Sequence, residues 1–294
     1  MNEMQTRSYG QIETISLVIP FYNEEKCIPA LQERLLPVLG ELRQRGKVQL
    51  VLVDDGSTDS TLACLRERFG ALPGIETTLV EHGANRGLGA AMGTGFGYCK
   101  GDVICTMDSD CTYAPEELPR MVDLLVKLDA DVVTGSPYHP EGGVEGVQKW
   151  RLLLSRGASA VYARLVPARL YCYTSFFRVY RREWAHSTFF TSGGFLGVTE
   201  IMIAAAYGGA RILEYPVRLG PRAHGESKMK VARVMLAHVR LMAIVALFNL
   251  GTKLLSPARP KAPAPDPFQE QLYKERIMLD NLNAIGTRSV LGRA

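Results

Sequence analysis

Up to residue 135, short apolar runs alternate with segments of helical periodicity. Ile15–Pro20, Val48–Val53, Thr77–Glu81, Asp102–Met107 and Asp131–Thr134 read as strands. Helical patterns lie between them over Glu24–Arg45, Thr58–Phe69, Gly87–Lys100 and Pro115–Leu128. Continuous apolar strands alternating with helices predict an α/β protein whose mainly parallel sheet is covered on both faces. Ligands of such sheets bind beyond the carboxyl ends of the strands. Three polar clusters fall at those ends: Tyr22-Asn23-Glu24, Asp54-Asp55 and Asp108-Ser109-Asp110. They outline a site on one rim.

The second half is less regular. Gly142-Gly143 marks a loop before a helix over Trp150–Leu165, and Gly193-Gly194 precedes a helix carrying Glu200. Ser175–Tyr180 and Arg211–Val217 are the remaining predicted strands. From Val231 to Leu250 the apolar positions recur at helical spacing. The longest uncharged run there, Leu241–Thr252, is shorter than a bilayer-spanning helix requires. Five prolines between Pro257 and Pro267 predict an extended linker. The expected organisation is a folded α/β unit at 1–225, an apolar helical segment at 226–256, and a Pro-rich linker and tail at 257–294.

Composition narrows the function. The chain has 294 residues, of which 47% are hydrophobic and 22% charged. That is ordinary for a folded soluble protein. A net charge of +4 is too small to imply nucleic acid. Nine Lys and Arg residues fall between Arg211 and Arg259, opposed only by Glu214 and Glu226. Such a region suits phosphate or a lipid surface, or is simply a solvated basic face. The six cysteines lack zinc-site and C-x-x-C spacing and read as reduced cytosolic thiols. The N-terminal segment is polar, without a signal-peptide core.

The sharpest chemical element is Asp108-Ser109-Asp110 after the strand DVICTM. Two carboxylates there can share a hard divalent cation, Mg²⁺ or Mn²⁺, with substrate phosphates; a surface turn is the alternative. In Val53–Asp59, Ser57 or Thr58 can cap the next helix, and Asp54 can also face a nucleotide base. Asn85–Ala90 (NRGLGA) lacks the third glycine of a dinucleotide loop and follows the third strand, which excludes a Rossmann NAD site.

Taken in order, VIPFYNEE, VDDGSTD, NRGLGAA and MDSDCTYAPEEL resemble the family 2 glycosyltransferases. The later GSPYHPEGGV, WRLLLSRGAS, TSFFRVYRR, GGFLGVTE, EYPVRLGPR and HGESK resemble its dolichol- or polyprenyl-phosphate hexose synthase branch. The resemblance covers roughly residues 15–235. It implies a GT-A-type fold with a C-terminal interfacial helix: 1–225 is then the catalytic unit and 226–256 an amphipathic membrane-interface helix. The implied reaction is an inverting, metal-dependent transfer of a hexose from a nucleotide sugar, of GDP-mannose or UDP-glucose type, to a polyprenyl phosphate. By the same resemblance Pro20, Tyr22, Glu24 and Asp54 frame the nucleotide, and Asp108 lies near ribose and metal. Asp110 ligates Mg²⁺ or Mn²⁺, and Arg222 and Lys228 hold phosphate.

Two positions depart from the family pattern. Thr112 stands where a Gln ligand is common and is expected at the metal site as a poorer ligand, with water filling the gap, and Pro137 replaces an Arg near the donor phosphates. His139, Arg151 and Arg156 are the candidates to compensate, with Arg151 placed among the catalytic residues. A lipid phosphate is already anionic, so the implied reaction requires no strong base. The segment Glu226–Leu255 is expected to lie in a bilayer surface, with a core helix or a dimer contact as alternatives. The expected location is the cytoplasmic face of a membrane. Two other functions compete. One is a family 2 transferase acting on a glycan or small-molecule hydroxyl, with Glu200 as base; the other is a non-catalytic nucleotide-sugar-binding protein.

Overall fold

The structure is a computed structural model, and it describes residues 12–187, 190–222 and 231–255. Its strands are β1 (Thr14–Phe21), β2 (Lys47–Asp54), β3 (Glu76–Glu81), β4 (Val103–Thr106), β5 (Val132–Ser136), β6 (Gly143–Val144), β7 (Arg178–Arg181), β8 (Ile212–Pro216) and β9 (Arg218–Leu219). The helices are α1 (Ile28–Leu42), α2 (Thr61–Phe69), α3 (Leu88–Tyr98), α4 (Leu118–Lys127), α5 (Lys149–Leu165), α6 (Arg182–Ser187), α7 (Leu196–Tyr207) and α8 (Val231–Leu255).

Seven strands form one sheet in the order β3-β2-β1-β4-β7-β5-β8. Every pairing is parallel except those of β7, which runs antiparallel between β4 and β5. From Ile15 onward every residue of β1 is buried, the pattern of a central strand covered on both faces. Helix α1 buries Ile28, Leu31, Leu35, Val38, Leu39 and Leu42, one stripe at helical spacing. It begins at Ile28, later than its apolar pattern predicts, because the backbone N–H of Glu24 donates to Thr61 Oγ1 (2.7 Å). That bond holds the segment as a loop along the rim.

The glycines of Asn85–Ala90 serve packing. Gly87 has φ of 94°, and a Cβ on it would lie 2.6 Å from the Gly193 carbonyl oxygen. A Cβ on Gly89 would press into the carbonyl oxygen of Ser192. The Ala90 N–H donates to Gly193 O (2.9 Å). The starts of α3 and α7 thus meet backbone to backbone. Gly89→Ala is expected to destabilise the protein by about 1–3 kcal/mol, the usual effect of overpacking. A thermal midpoint equal to that of the wild type would refute this account of the motif.

Helix α8 is apolar on both sides, and Val231–Thr252 is by length and composition apolar enough to cross a membrane. Its inner side docks on the domain. His238 Nδ1 meets the Tyr162 hydroxyl (3.0 Å), the Tyr207 hydroxyl donates to Asn249 Oδ1 (2.7 Å), and Val245 is buried. Its outer side exposes Leu236, Val239, Ile244, Leu247, Phe248 and Leu250. The charges on that side, Arg233 and Arg240, are exposed as well. Contacts group the chain through Thr252 as one unit. The expected linker and tail, 257–294, lie outside the described residues.

Candidate active site

The β1–α1 and β2–α2 loops are laced together at the rim. Asn23 adopts a left-handed conformation (φ 52°), which Asn tolerates better than most residues. Its N–H donates to Ser57 Oγ (2.9 Å), and its Oδ1 accepts from the Thr58 N–H (2.6 Å). Ser57 and Thr58 are therefore used between the loops, not as the cap of α2. Asp59 instead accepts from the N–H and hydroxyl of Thr61 at the helix start. Asp54 ends β2 fully buried. Its Oδ2 accepts from the Ser57 N–H (3.2 Å), while Oδ1 has no protein partner. A buried carboxylate oxygen left in this state is costly unless a ligand donates to it. Pro20 is buried at the end of β1, with Tyr22 and Glu24 half-buried beyond it.

Asp108 and Asp110 follow β4. Asp110 is only 3% exposed at its side chain and lies 2.6 Å from Arg222 Nε. Its Oδ1 accepts from both the N–H (3.1 Å) and the hydroxyl (2.9 Å) of Thr112. Arg222 also reaches Glu24, with Nη1 3.9 Å from Oε1. A short strand brings this arginine in. β9 pairs with β6, Leu219 bridges to Tyr113, and the Gly220 N–H donates to Thr112 O (2.8 Å). Asp108 is pushed up to about 7, chiefly by removal from water and then by the charge of Asp110, with Arg222 opposing and Glu24 adding to the rise. Lys228 lies outside the described residues.

The donors gathered here are hard oxygens, which suit Mg²⁺ or Mn²⁺. No group of three His, Cys, Asp or Glu side chains able to hold a metal occurs among the described residues. A divalent ion at Asp108 and Asp110 would thus complete its shell from substrate phosphate and water, as Mg²⁺ commonly does.

A cavity of about 300 Å³ opens from these carboxylates. Asp108, Asp110, Arg151 and Arg222 line one part of it, and Val231, Val234 and Met235 of α8 line another. Arg151 stacks over Trp150, with its guanidinium carbon 5.1 Å from the ring centroid, and its buried Nε has no partner. Of the three residues expected to offset Pro137, Arg151 is the one in the cavity wall. Arg156 is exposed and stacks on Tyr138 (5.1 Å), and His139 Nδ1 accepts from the Glu141 N–H (3.2 Å) in its own turn.

Three polar residues have parts that their sequence context does not announce. Asp55, buried, accepts from Asn85 Nδ2 and from the N–H groups of Arg86 and Gly87, and contacts His82 Nδ1 at 2.6 Å. It fixes the loop before α3. Arg178 is fully buried and donates to Thr134 Oγ1, Val198 O and Tyr173 O, tying the sheet to α7. Glu200 accepts from the N–H groups of Thr191 and Ser192 at Oε2 and from the Ser192 hydroxyl at Oε1. Both oxygens thus hold the loop that meets α3. Glutamine preserves those contacts if its amide donates to Ser192 Oγ. Glu200→Gln is therefore expected to keep turnover within about tenfold, where loss of a general base typically costs 10²–10⁴. A loss of that larger size, with the fold intact, would make Glu200 a base.

The parallel sheet with one antiparallel insertion, and acidic residues at its carboxyl rim, define a GT-A-type glycosyltransferase fold. Residues 16–189 match the glycosyl transferase family 2 domain, and the chain belongs to that family. It is 31% identical over 218 residues to a dolichol-phosphate mannosyltransferase of Pyrococcus furiosus, covering 74% of this chain and 59% of that protein. It is 30% identical to a dodecaprenyl-phosphate galacturonate synthase of Rhizobium johnstonii (79% and 66% covered). To a polyprenol monophosphomannose synthase of Mycolicibacterium smegmatis it is 32% identical (74% and 82% covered). The chain therefore spans less than two thirds of the first two relatives. In fold it is similar to glucosyl-3-phosphoglycerate synthase from Mycobacterium tuberculosis, solved with Mn²⁺, UDP and glucosyl-3-phosphoglycerate. The TM-score is 0.58 at 22% identity, covering 78% of this chain and 80% of that one.

Proposed function

We propose that this protein is an inverting hexosyltransferase that moves a sugar from a nucleotide sugar to a polyprenyl phosphate at a membrane surface. The observation that carries the proposal is the cavity that runs from Asp108 and Asp110 to the wall of α8, a helix whose far side is exposed and apolar. A charged sugar-transfer centre and a lipid-compatible surface then share one wall. The names of the three curated relatives, all transferases or synthases of prenyl-phosphate sugars, support the same acceptor class.

In this scheme Asp54 Oδ1 accepts an N–H of the nucleotide base, with Pro20, Tyr22 and Glu24 around the nucleoside. Asp108 and Asp110 hold Mg²⁺ or Mn²⁺, which when bound offsets charge on the leaving diphosphate. Thr112 directs its hydroxyl at Asp110 and so fixes that carboxylate's orientation. Arg222, a planar fork suited to phosphate, stands beside it, and Arg151 serves as a second cation across the cavity. Lys228 is assigned to the same phosphates on its spacing from Arg222. A phosphate oxygen of the lipid attacks the anomeric carbon, the bond from that carbon to the diphosphate oxygen breaks, and the nucleoside diphosphate leaves with the electron pair. The attacking oxygen is anionic at neutral pH, so the protein supplies positioning and charge without a base. Residues 1–225 would form the catalytic unit and 226–256 the membrane contact, on the cytoplasmic face.

The test is transfer of label from a panel of GDP- and UDP-sugars to a short polyprenyl phosphate, with Mn²⁺, Mg²⁺ or EDTA. Metal-dependent formation of a lipid-phosphate sugar is expected and would identify the donor. Transfer to a sugar hydroxyl instead of the lipid phosphate would overturn the acceptor assignment.

A further inference from the structure

Besides Arg151, the cavity holds polar residues that the transfer scheme does not use, among them Thr199 and His238. Thr199 on α7 lines it, and its hydroxyl is buried without a hydrogen-bond partner. His238 on α8 lines it too and is only 5% exposed. Its Nδ1 is held by the Tyr162 hydroxyl at 3.0 Å, and its Nε2 has no partner among the described residues. Burial also lowers the affinity of the imidazole for a proton. Arg151 Nε is, with the Thr199 hydroxyl, a second buried, unpartnered donor on the same cavity. Buried hydroxyls, ring nitrogens and guanidinium N–H groups are nearly always satisfied in folded proteins. Two of them, Thr199 Oγ1 and Arg151 Nε, unsatisfied on the cavity that His238 also lines, are the mark of a ligand's polar group.

The chemistry of the walls selects that ligand. Val234 and Met235 on α8, with Leu154 and Ala158 on α5, give the cavity an apolar side next to these polar atoms. The outer side of α8 carries exposed apolar residues, a surface compatible with lipid. A molecule with an anionic head and a hydrocarbon tail satisfies both parts, whereas a free sugar or a free anion leaves the apolar wall unused. Building on the acceptor assignment above, we propose that His238, Thr199 and Arg151 form the headgroup subsite of the prenyl phosphate. His238 Nε2 and Thr199 Oγ1 hydrogen-bond its phosphate, and α8 lies along its first isoprene units. Tyr162 is then a positioning residue: it sets the rotation of the imidazole and touches no substrate.

The substitutions can separate these roles. In His238→Asn the amide can replace Nδ1 toward Tyr162 but nothing replaces Nε2, whereas His238→Gln can restore a polar atom near Nε2. Thr199→Val removes the hydroxyl at nearly constant volume. Trp150 lines the cavity, so intrinsic fluorescence of the full chain can report binding. Farnesyl phosphate, farnesol and inorganic phosphate are titrated below the micellar range, with UDP and GDP as controls. Saturable binding of farnesyl phosphate is expected, with farnesol and inorganic phosphate each at least tenfold weaker. His238→Asn and Thr199→Val should each weaken farnesyl phosphate about tenfold and leave the nucleotides unchanged. His238→Gln should recover most of that loss. In turnover, the same two variants should raise KM for the lipid and leave KM for the nucleotide sugar as it was. Wild-type affinity for farnesyl phosphate in both variants would overturn the subsite. Inorganic phosphate binding as tightly as farnesyl phosphate would make the site one for a free anion. Nucleotide binding without any farnesyl phosphate binding would overturn the acceptor assignment itself.

Discussion

Replacing Asp110 by asparagine is expected to lower turnover about 10²–10³-fold, the range seen when one preorganised electrostatic contact to a developing charge is removed. The substitution is chosen to leave the local structure in place. Asparagine Oδ1 can still accept from the N–H and hydroxyl of Thr112, the two bonds that orient the side chain. What is lost is the charge that faces Arg222 at 2.6 Å and, in the proposed mechanism, the charge that holds the divalent ion. Arg222 is one-third exposed and also reaches Glu24, so it is not stranded in the interior. The cost to folding is accordingly small, on the order of 1 kcal/mol once solvent screening is allowed for. Steady-state kinetics beside thermal unfolding checks both parts. A near-normal kcat in the variant would remove Asp110 from the centre of the mechanism. A large fall in melting temperature would instead show that the Asp110–Arg222 pair is structural.

The carboxylates at the rim show what the sequence makes legible. Asp54, Asp108 and Asp110 follow buried strands at once, and the chain order of strand and helix places all parallel strand ends on one rim. Local pattern was enough there. Asp55, next to Asp54, is a structural hub, because its partners His82, Asn85, Arg86 and Gly87 come from the connection after β3. Neighbours in sequence that point to opposite sides of a strand end have unrelated surroundings, and composition does not distinguish them. The insertion of β7 between β4 and β5 is invisible for the same reason. Ser175–Tyr180 reads as a strand, but its direction depends on pairings with residues more than 40 positions away. Arg178 looks like a surface cation in TSFFRVYRR and is fully buried, satisfied by carbonyls of two other segments.

Glu200 makes a related point about function. It sits where an acidic base would be sought, and the loop it holds explains why an acid is needed there in any case. Two backbone N–H groups and a hydroxyl converge on it, and the backbone-to-backbone contact of α3 with α7 requires that loop to be fixed. Both oxygens of Glu200 are engaged by its own loop, and the residue does not line the cavity. This supports an acceptor that arrives already ionised, which a phosphate does and a sugar hydroxyl does not.

Helix α8 carries the second large effect. Ile244→Asp combined with Leu247→Asp is expected to lower partition onto phospholipid vesicles about 10²-fold. Each apolar side chain contributes about 1.5–3 kcal/mol when fully withdrawn from water, and an interfacial helix gains part of that for each. Both residues are among the most exposed large apolar side chains of the helix, at 62% and 67%. Their replacement should leave the melting temperature unchanged, since the docking of α8 rests on Val245, His238 and Asn249 on the opposite side. Arg233 and Arg240 add attraction to anionic lipid of about 1 kcal/mol each near the surface, so binding should weaken with salt and with neutral lipid. Vesicle co-sedimentation of wild type and double variant, at low and high salt, reads all of this directly. Unchanged partition of the variant would mean that the outer face of α8 meets something other than a bilayer. A second copy of the chain would then be tested by the oligomeric state, which the same substitutions should alter. The expected outcome is loss of membrane binding with the helix still docked, because the two sides of α8 are held by different chemistry.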